Sequence, residues 1–364
     1  MPDNDVIAAA KERLEQSGLP STWLDIPVHW GVKAKEQATP ENGGLRFQML
    51  NVDVYGEVPD VWENNTEIPR GAVPDTRTEQ MGYSIFNKAE VWSDLCAELY
   101  EDAIADRWNS SADIPWDSLE PIGADLERAV CQVATMMSEY GWTKAQTTGR
   151  WLQEISYGYI EVKLFLGTVV FDAARLFEVW RKRALANGGG MGRGGRNWKF
   201  LPLTQSYTFS EFVVASIMHD SMLLTLLRHG EQLAQTEAER RIYRLCEQDI
   251  ERHLAYFVDH MRYLMLKEPV RREEIHRYMN KAEWYLAKDG DDTLYSALAV
   301  IMGDGREGAE EAMADVAELR REQIETYLGY LRQCHLADRE DRLNEELRKW
   351  AGMVELEEEE KIPV

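Results

Sequence analysis

VFDAARLFEVWR, residues 170–181, and EQDIERHLAYFVDH, residues 247–260, carry the same helical pattern twice. Both stretches contain Asp-x-x-Arg inside apolar residues that recur at helical spacing. The repeated pairs are Asp172 with Arg175 and Asp249 with Arg252. A helical element that occurs twice predicts a helical bundle with internal pseudo-symmetry.

Long helical patterns dominate the chain from residue 85 onward, so the sequence predicts an all-α protein. The predicted helices span roughly 86–108, 122–148, 150–186, 208–234 and 236–266, with shorter ones to about 350. We divide the chain into an N-terminal helix and extended arm (1–84), a helical bundle (85–266), and C-terminal helices with an acidic tail (267–364).

The N-terminal region differs from the rest because its helical periodicity ends early. Residues 5–17 predict a short helix, whereas residues 19–82 are rich in Pro and Gly. Only residues 45–55 alternate like a strand. We expect an extended arm that packs on another surface, since disordered segments are poor in aromatic residues. Its tryptophans are Trp23, Trp30 and Trp62.

The charge and cysteine content exclude several classes of protein. With 64 acidic and 41 basic side chains, the net charge of −23 disfavours binding to nucleic acid or an anionic membrane. The four cysteines are scattered and form no C-x-x-C pair, so the sequence predicts neither disulfides nor a zinc site. No signal-peptide core or long apolar run is evident. We therefore expect a soluble cytoplasmic protein.

A glycine-rich segment, ANGGGMGRGGRNW at 186–198, is similar to a phosphate-binding loop only in its glycine content. It follows a predicted helix rather than a strand, and it lacks the Gly-Lys-Ser/Thr ending of such loops. We interpret it as a loop between helices.

The spacing of acidic residues fits a dinuclear metal site in a helical bundle. Such sites take one Glu from one helix and Glu-x-x-His from its antiparallel partner, and the hairpin is repeated. Glu139 precedes position 173 by 34 residues, and Asp220 precedes position 250 by 30. Both carboxylates interrupt apolar helical stretches, where an unpaired charge is costly. They are therefore candidate metal ligands.

On these motifs the chain resembles the ferritin-like di-metal carboxylate superfamily, in particular oxygenases similar to the small subunit of ribonucleotide reductase. The resemblance extends over about 100–263. Its further motifs are LYEDAIADRW (99–108), DIPWD (113–117), RKRALANGGG (181–190) and RHLAYFVDHMRY (252–263). It implies a ferritin-like four-helix bundle with extra helices, and oxygen activation by two iron or manganese ions.

The ligand set that the resemblance implies is only half present. Glu139, Asp220 and His253 match ligand positions and are the residual metal-ligand candidates. The other three positions hold Ala173, Leu176 and Ile250, whose side chains have no lone pair to donate. Any metal site would be incomplete, and iron or manganese would be its expected ion.

The residues around the lost ligands are retained. The resemblance implies that Asp172 and Asp249 orient metal-bound histidines, accompanied by Arg175 and Arg252. Ion pairs within each helix explain the same spacing without a metal. Glu161 lies three helical turns before Asp172, so it either joins this polar network or replaces a ligand. His253 is either a ligand or a buried histidine beside a carboxylate.

Three functions remain open. The first is a metal-deficient structural or regulatory subunit of an oxygenase or monooxygenase, paired with a metal-bearing ferritin-like paralogue, with itself, or with both. The second is an active oxygenase with one iron or manganese held by Glu139, Asp220 and His253. The third is a non-catalytic protein that binds a small molecule in an apolar pocket at Ala173, Leu176 and Ile250.

Overall fold

The computed structural model describes residues 4–16, 30–62, 67–73, 81–195, 198–288 and 293–353. The chain forms two compact units. The first comprises residues 1–57 and 64–81, and the second comprises residues 58–63 and 82–364. The domain boundaries drawn from the sequence stay predictions.

The first unit contains helix α1 (Asn4–Gln16) and short 3-10 turns. The strand predicted over 45–55 is wrong, because these residues form the 3-10 turns Phe47–Leu50 and Asp53–Tyr55. Apart from the Lys35 amide, which donates to the Met49 carbonyl at 2.9 Å, their backbone hydrogen bonds are local. Asp53 has a φ of 50°, which is incompatible with an extended strand. Trp23 and the acidic tail lie outside the described residues.

The second unit consists of α-helices joined by turns. In chain order they are α2 (Cys96–Ala105), α3 (Ala124–Glu154), α4 (Ile160–Ala186), α5 (Leu201–Thr204), α6 (Phe209–Leu233), α7 (Glu237–Lys267), α8 (Arg272–Lys288), α9 (Thr293–Met302), α10 (Met313–Gln333) and α11 (Glu345–Trp350).

Two helix hairpins form the centre of this unit. Helix α3 packs against α4, α6 packs against α7, and α4 also contacts α7. A long connection from 187 to 208, which includes the glycine-rich loop and α5, joins the hairpins. Two hairpins joined by one long crossover are typical of ferritin-like bundles. The prediction of an all-α fold with extra helices is confirmed, and the two hairpins with one crossover are the arrangement expected of a ferritin-like bundle.

Tertiary contacts move two of the predicted helix boundaries. The helix predicted from 86 begins at Cys96, because residues 86–88 instead exchange backbone hydrogen bonds with residues 60–62. The break predicted near 149 lies at Ile155. There the amides of Ser84 and Ile85 both donate to the Glu154 carbonyl at 3.0 Å, which satisfies the end of α3.

Residues 209–227 of helix α6 are buried on all sides, so this part of the helix lies in the core. Among the described residues it is the one helix whose length and composition would suit a membrane span. Its apolar window is entirely buried by the other helices, which is also the pattern of a core helix in a large bundle. Helix α6 therefore carries Asp220 in the core, where the side chain is fully buried.

Gly141 permits the close packing of α3 on α4. A Cβ atom at Gly141 would lie 2.7 Å from the Phe177 amide nitrogen and 2.8 Å from the Ala173 carbonyl oxygen. Because both atoms belong to the backbone of α4, the helices would have to separate. We expect G141A to lower the free energy of unfolding by about 1–3 kcal/mol in urea denaturation.

Gly149 is a matched control in the same helix. No atom lies within 4 Å of a Cβ placed there, so G149A should raise the free energy of unfolding by up to about 1 kcal/mol through helix propensity alone. Equal effects of the two substitutions would contradict the packing argument.

Candidate functional site

The two Asp-x-x-Arg motifs meet inside the bundle and form one ion-pair network. Arg175 Nη2 on α4 lies 2.7 Å from Asp172 Oδ1 and 2.6 Å from Asp249 Oδ2 on α7. Arg252 pairs with Asp249 and lies 3.6 Å from Asp172 Oδ2. Pairing within each helix was expected from the spacing, but the structure also joins the two motifs across the helix interface.

Trp108, which follows α2, connects the network to the loop before α3. Its indole Nε1 donates to Asp249 Oδ2 at 3.0 Å, and its carbonyl accepts from Arg175 Nη1 at 2.9 Å. The Arg175 guanidinium also lies 4.3 Å from the centre of the indole ring. Arg175 is thus held by two carboxylates, one carbonyl and two aromatic faces, the second being that of Phe171 at 5.3 Å.

His253 lies beside this network without an ordinary hydrogen bond. Its Nε2 is 3.4 Å from Asp172 Oδ2, and both ring nitrogens and that oxygen lack a hydrogen-bond partner among the described residues. Burial raises the pKa of Asp172, but the contacts with His253, Arg175 and Arg252 outweigh it and lower the pKa overall. Burial and the neighbouring Asp172 raise the pKa of Asp249.

A second buried ion pair joins α3 to α6. Lys144 Nζ lies 2.8 Å from Asp220 Oδ2, and the two side chains are 1% and 0% exposed. The Tyr140 hydroxyl donates to the other Asp220 oxygen. Burial lowers the pKa of Lys144, although the contact with Asp220 acts in the opposite direction. The Asp220 carboxylate is therefore occupied by protein donors on both oxygens.

Glu139 faces a different environment from Asp220 and His253. Its carboxylate accepts hydrogen bonds from the Gly195 amide at 3.2 and 3.3 Å, in the glycine-rich loop outside the bundle interior. The next residue, Tyr140, occupies the inward position. The structure does not bring Glu139, Asp220 and His253 together.

The glycine-rich loop is anchored along α3 rather than shaped to bind phosphate. The Gly192 amide donates to Thr135 Oγ1 and the Arg193 amide to Gln132 Oε1, both at 2.7 Å. These amides are therefore engaged by side chains of α3. A Cβ atom at Gly194 would lie 2.8 Å from Glu139 Oε1, so small residues allow the loop to approach the helix.

The three lost ligand positions line a very small central cavity. The cavity has a volume of about 10 Å³, and its other lining residues include Lys144, Asp172, Asp249 and His253. That is about the space of one water molecule, far below the several hundred Å³ of small-molecule sites. Glu161 is buried in the first turn of α4 and does not line this cavity.

The donors in the interior do not fit a two-metal centre. The two oxygens of Asp220 are bound by Lys144 and Tyr140, and the cations of Arg175 and Arg252 also face the interior. In the described part of the chain, no group of three or more His, Cys, Asp or Glu side chains is placed to hold a metal ion. Three cations would repel a divalent ion here.

The sequence pattern around Lys144 predicts a buried ion pair, although comparison of metal-ligand motifs does not reveal it. Met137, Tyr140, Lys144 and Trp151 share one buried face of α3, at separations of three, four and seven residues. A lysine on an apolar helical face needs a buried partner, because an unpaired ammonium is costly there. Asp220 is that partner.

Comparisons with known proteins add a distant structural similarity. No protein-family model matches this sequence, and no curated protein matches it. Among solved structures, the chain is similar to an R2-like ligand-binding oxidase with an aerobically reconstituted metal cofactor after photoconversion. The two are 17% identical with a TM-score of 0.45, and the match covers 65% of this chain and 92% of the other. The metal cofactor belongs to that protein.

Two buried histidines predict a pH-dependent stability. Burial lowers the pKa of His219 and of His260 from 6.5 to about 4, despite a hydrogen-bonding contact of each ring with a carbonyl. In the unfolded chain these histidines become protonated near pH 6.5, whereas in the folded chain they stay neutral until the pH approaches 4. Each ring contributes stability that is fully present above pH 6.5 and is lost as the pH falls toward 4.

We expect the free energy of unfolding to fall by about 2 kcal/mol per histidine between pH 7.5 and pH 5. Urea denaturation across this range measures the change. In H260Q the free energy of unfolding should fall by about 2 kcal/mol less over this pH range, because one of the two histidines is absent. The control H335N changes an exposed histidine and should keep the full loss. An identical pH profile for H260Q and the native protein would contradict the assignment.

Proposed function

We propose that this chain is a metal-deficient, ferritin-like subunit that supports a metal-bearing paralogue in a non-heme oxygenase system. The observation that carries the proposal is the charge balance of the bundle interior. Three carboxylates, Asp172, Asp220 and Asp249, face three cations, Lys144, Arg175 and Arg252.

A metal centre needs carboxylates whose negative charge the metal ions offset. Here lysine and arginine side chains already provide the positive charge. The charges of the three interior carboxylates are therefore balanced by protein side chains, and the bundle needs no metal ion to remain folded. Retention of the fold together with loss of donors at 173, 176 and 250 supports a structural or regulatory role beside a catalytic partner.

The two alternative functions have less support. An active one-metal site would need Glu139, Asp220 and His253 in one group, but Glu139 binds the glycine-rich loop and Asp220 binds Lys144. A ligand pocket at Ala173, Leu176 and Ile250 would need far more space than about 10 Å³.

Metal analysis of the purified protein tests the first part of the proposal. The chain should be expressed in iron- and manganese-supplemented medium and examined by plasma mass spectrometry. We expect well under one transition-metal ion per chain, whether the medium is supplemented with iron or with manganese. One or two ions per chain would contradict the proposal.

Co-expression tests the partnership. The probe is a paralogue encoded beside this chain that carries both intact Glu-x-x-His motifs. We expect a stable complex in which the metal and oxygen-dependent activity depend on the paralogue's ligands. Separate elution of the two proteins, or full activity of the paralogue alone, would contradict the supporting role.

Restoring the donors tests the assignment of positions. The variant A173E/L176H/I250E adds the three missing ligands, but Lys144 still binds Asp220. We therefore expect appreciable metal binding only when K144Q is added. If the fourfold variant folds, as judged by circular dichroism, and still binds no metal, the assigned positions are wrong.

A further inference from the structure

A cavity of about 310 Å³ lies between the bundle and the C-terminal helices, away from the small central cavity. Helices α3 and α6 form one wall, and α8, α9, α10 and α11 form the others. Its volume is at the lower end of the range of small-molecule sites. Much of the lining is apolar or aromatic, including Met136, Phe200, Met222, Leu223, Leu226 and Trp350.

Arg320 on α10 is the distinctive polar group of this cavity. Its guanidinium carbon lies 3.8 Å from the centre of the Trp350 ring and 4.4 Å from that of Tyr295. Its Nε is buried and has no hydrogen-bond partner among the described residues. Two aromatic rings thus hold a cation in place without neutralising it.

The neighbouring Arg321 shows the usual arrangement of arginines on this helix. It pairs with Glu318 and Glu325 and faces outward. No such ion pair holds Arg320 within the described ranges, although the chain has 64 acidic and 41 basic side chains. The Arg320 cation therefore lines the cavity without a carboxylate bound to it.

Other polar groups of the cavity wall are already engaged. Gln323 donates to the Met222 carbonyl and accepts from the Tyr295 hydroxyl, both at 3.0 Å. His219 Nε2 lies 2.9 Å from the Lys199 carbonyl, and Glu346 lies 3.5 Å from Lys349 Nζ. Lys199 also lines the cavity, and its Nζ lies 5.5 Å from the centre of the Phe200 ring. Arg320 differs in that its guanidinium lies against two aromatic rings and its buried Nε has no hydrogen-bond partner among the described residues, so it is the group placed to receive an anion.

We propose that this cavity binds an aromatic carboxylate, with the carboxylate on Arg320 and the ring among the methionine and aromatic side chains. A planar guanidinium matches a carboxylate through paired N–H donors. Thioether sulfur atoms pack favourably against aromatic rings, and Met136, Met137 and Met222 line the apolar part. This binding site is independent of the proposed subunit role, because it shares no residue with the ion pairs of the interior other than Tyr140.

Isothermal titration calorimetry of the full chain tests the proposal with two probes of similar shape. Naphthalene-2-carboxylate carries the charge, and naphthalene-2-carboxamide lacks it. We expect the carboxylate to bind at least about tenfold more tightly than the carboxamide. R320M should remove this preference, whereas the matched control R321M should keep it.

A second variant locates the site independently of charge. L226W places a large side chain in the cavity and should weaken both probes by about tenfold or more. If R320M fails to fold, as judged by circular dichroism, R320K takes its place and should keep a reduced preference for the carboxylate.

Three results would overturn the proposal. They are no binding of the carboxylate to the native chain at about 1 mM, equal affinity for the two probes, or unchanged affinity in a folded R320M or L226W variant. Metal content has no bearing on these outcomes, so failure of this proposal and failure of the subunit proposal are distinguishable.

Discussion

K144M should lower the free energy of unfolding by about 3–5 kcal/mol, one of the largest single effects expected in this chain. The substitution keeps most of the side-chain volume but leaves the fully buried Asp220 carboxylate without its cation. Tyr140 would still donate one hydrogen bond to Asp220, which is too little to offset the buried charge. Urea denaturation at pH 7.5 measures the loss.

A double-mutant cycle separates the ion pair from packing. D220N removes the charge, so K144M/D220N should recover much of the stability that K144M loses. The control K182M removes a lysine that is 33% exposed and that contacts Glu178, Ser110 and Ser111, and it should change stability by at most about 1 kcal/mol. If K144M and K182M had similar effects, Lys144 would not balance a buried carboxylate.

R175M should lower the free energy of unfolding by a similar amount, about 3–5 kcal/mol. Arg175 bridges Asp172 and Asp249 and also holds the Trp108 carbonyl, so its loss leaves two buried carboxylates with Arg252 as their remaining guanidinium. Trp108 would lose the cation beneath its ring as well. Urea denaturation at pH 7.5 gives the loss.

The pH dependence of this loss distinguishes electrostatics from packing. The pKa of Asp249 is already raised by burial and by Asp172, and removal of Arg175 raises it further. The folded variant then takes up a proton more readily than the unfolded chain, so the deficit of R175M should be smaller at pH 5 than at pH 7.5. A deficit that is independent of pH would indicate lost packing only.

R240M is the matched control for R175M. Arg240 also pairs with an acidic residue three positions away on its helix, but that pair is largely exposed. Its removal should change stability by less than about 1 kcal/mol at either pH. The contrast tests whether burial, rather than the spacing of the motif, gives Arg175 its importance.

Much of the fold could be predicted from the sequence, because helical periodicity is a local property. The five long helical patterns correspond to α2, α3, α4, α6 and α7. The errors lie where distant backbone segments pair. Residues 60–62 displace the predicted start of α2, and residues 84–85 set the end of α3. Such long-range contacts do not alter the periodicity of apolar residues, so they cannot be predicted from it.

The candidate site could be predicted only in part. The Asp-x-x-Arg repeat indicated buried polar residues on α4 and α7, and the structure places them there. Trp108 and Lys144 were missed, since each acts on a residue more than 70 positions away. The cavity at Arg320 was also missed, because its walls come from six helices and the loop before α5.

The helical repeat and the absence of donor side chains at Ala173, Leu176 and Ile250 could be read from the amino-acid sequence. Both follow from residue identity and spacing alone. The residue of α3 that faces the interior, in contrast, depends on how the helices pack. Successive residues of a helix point about 100° apart, so a shift of one position exchanges Glu139 for Tyr140. Helix packing turned Glu139 toward the glycine-rich loop and placed Lys144 against Asp220.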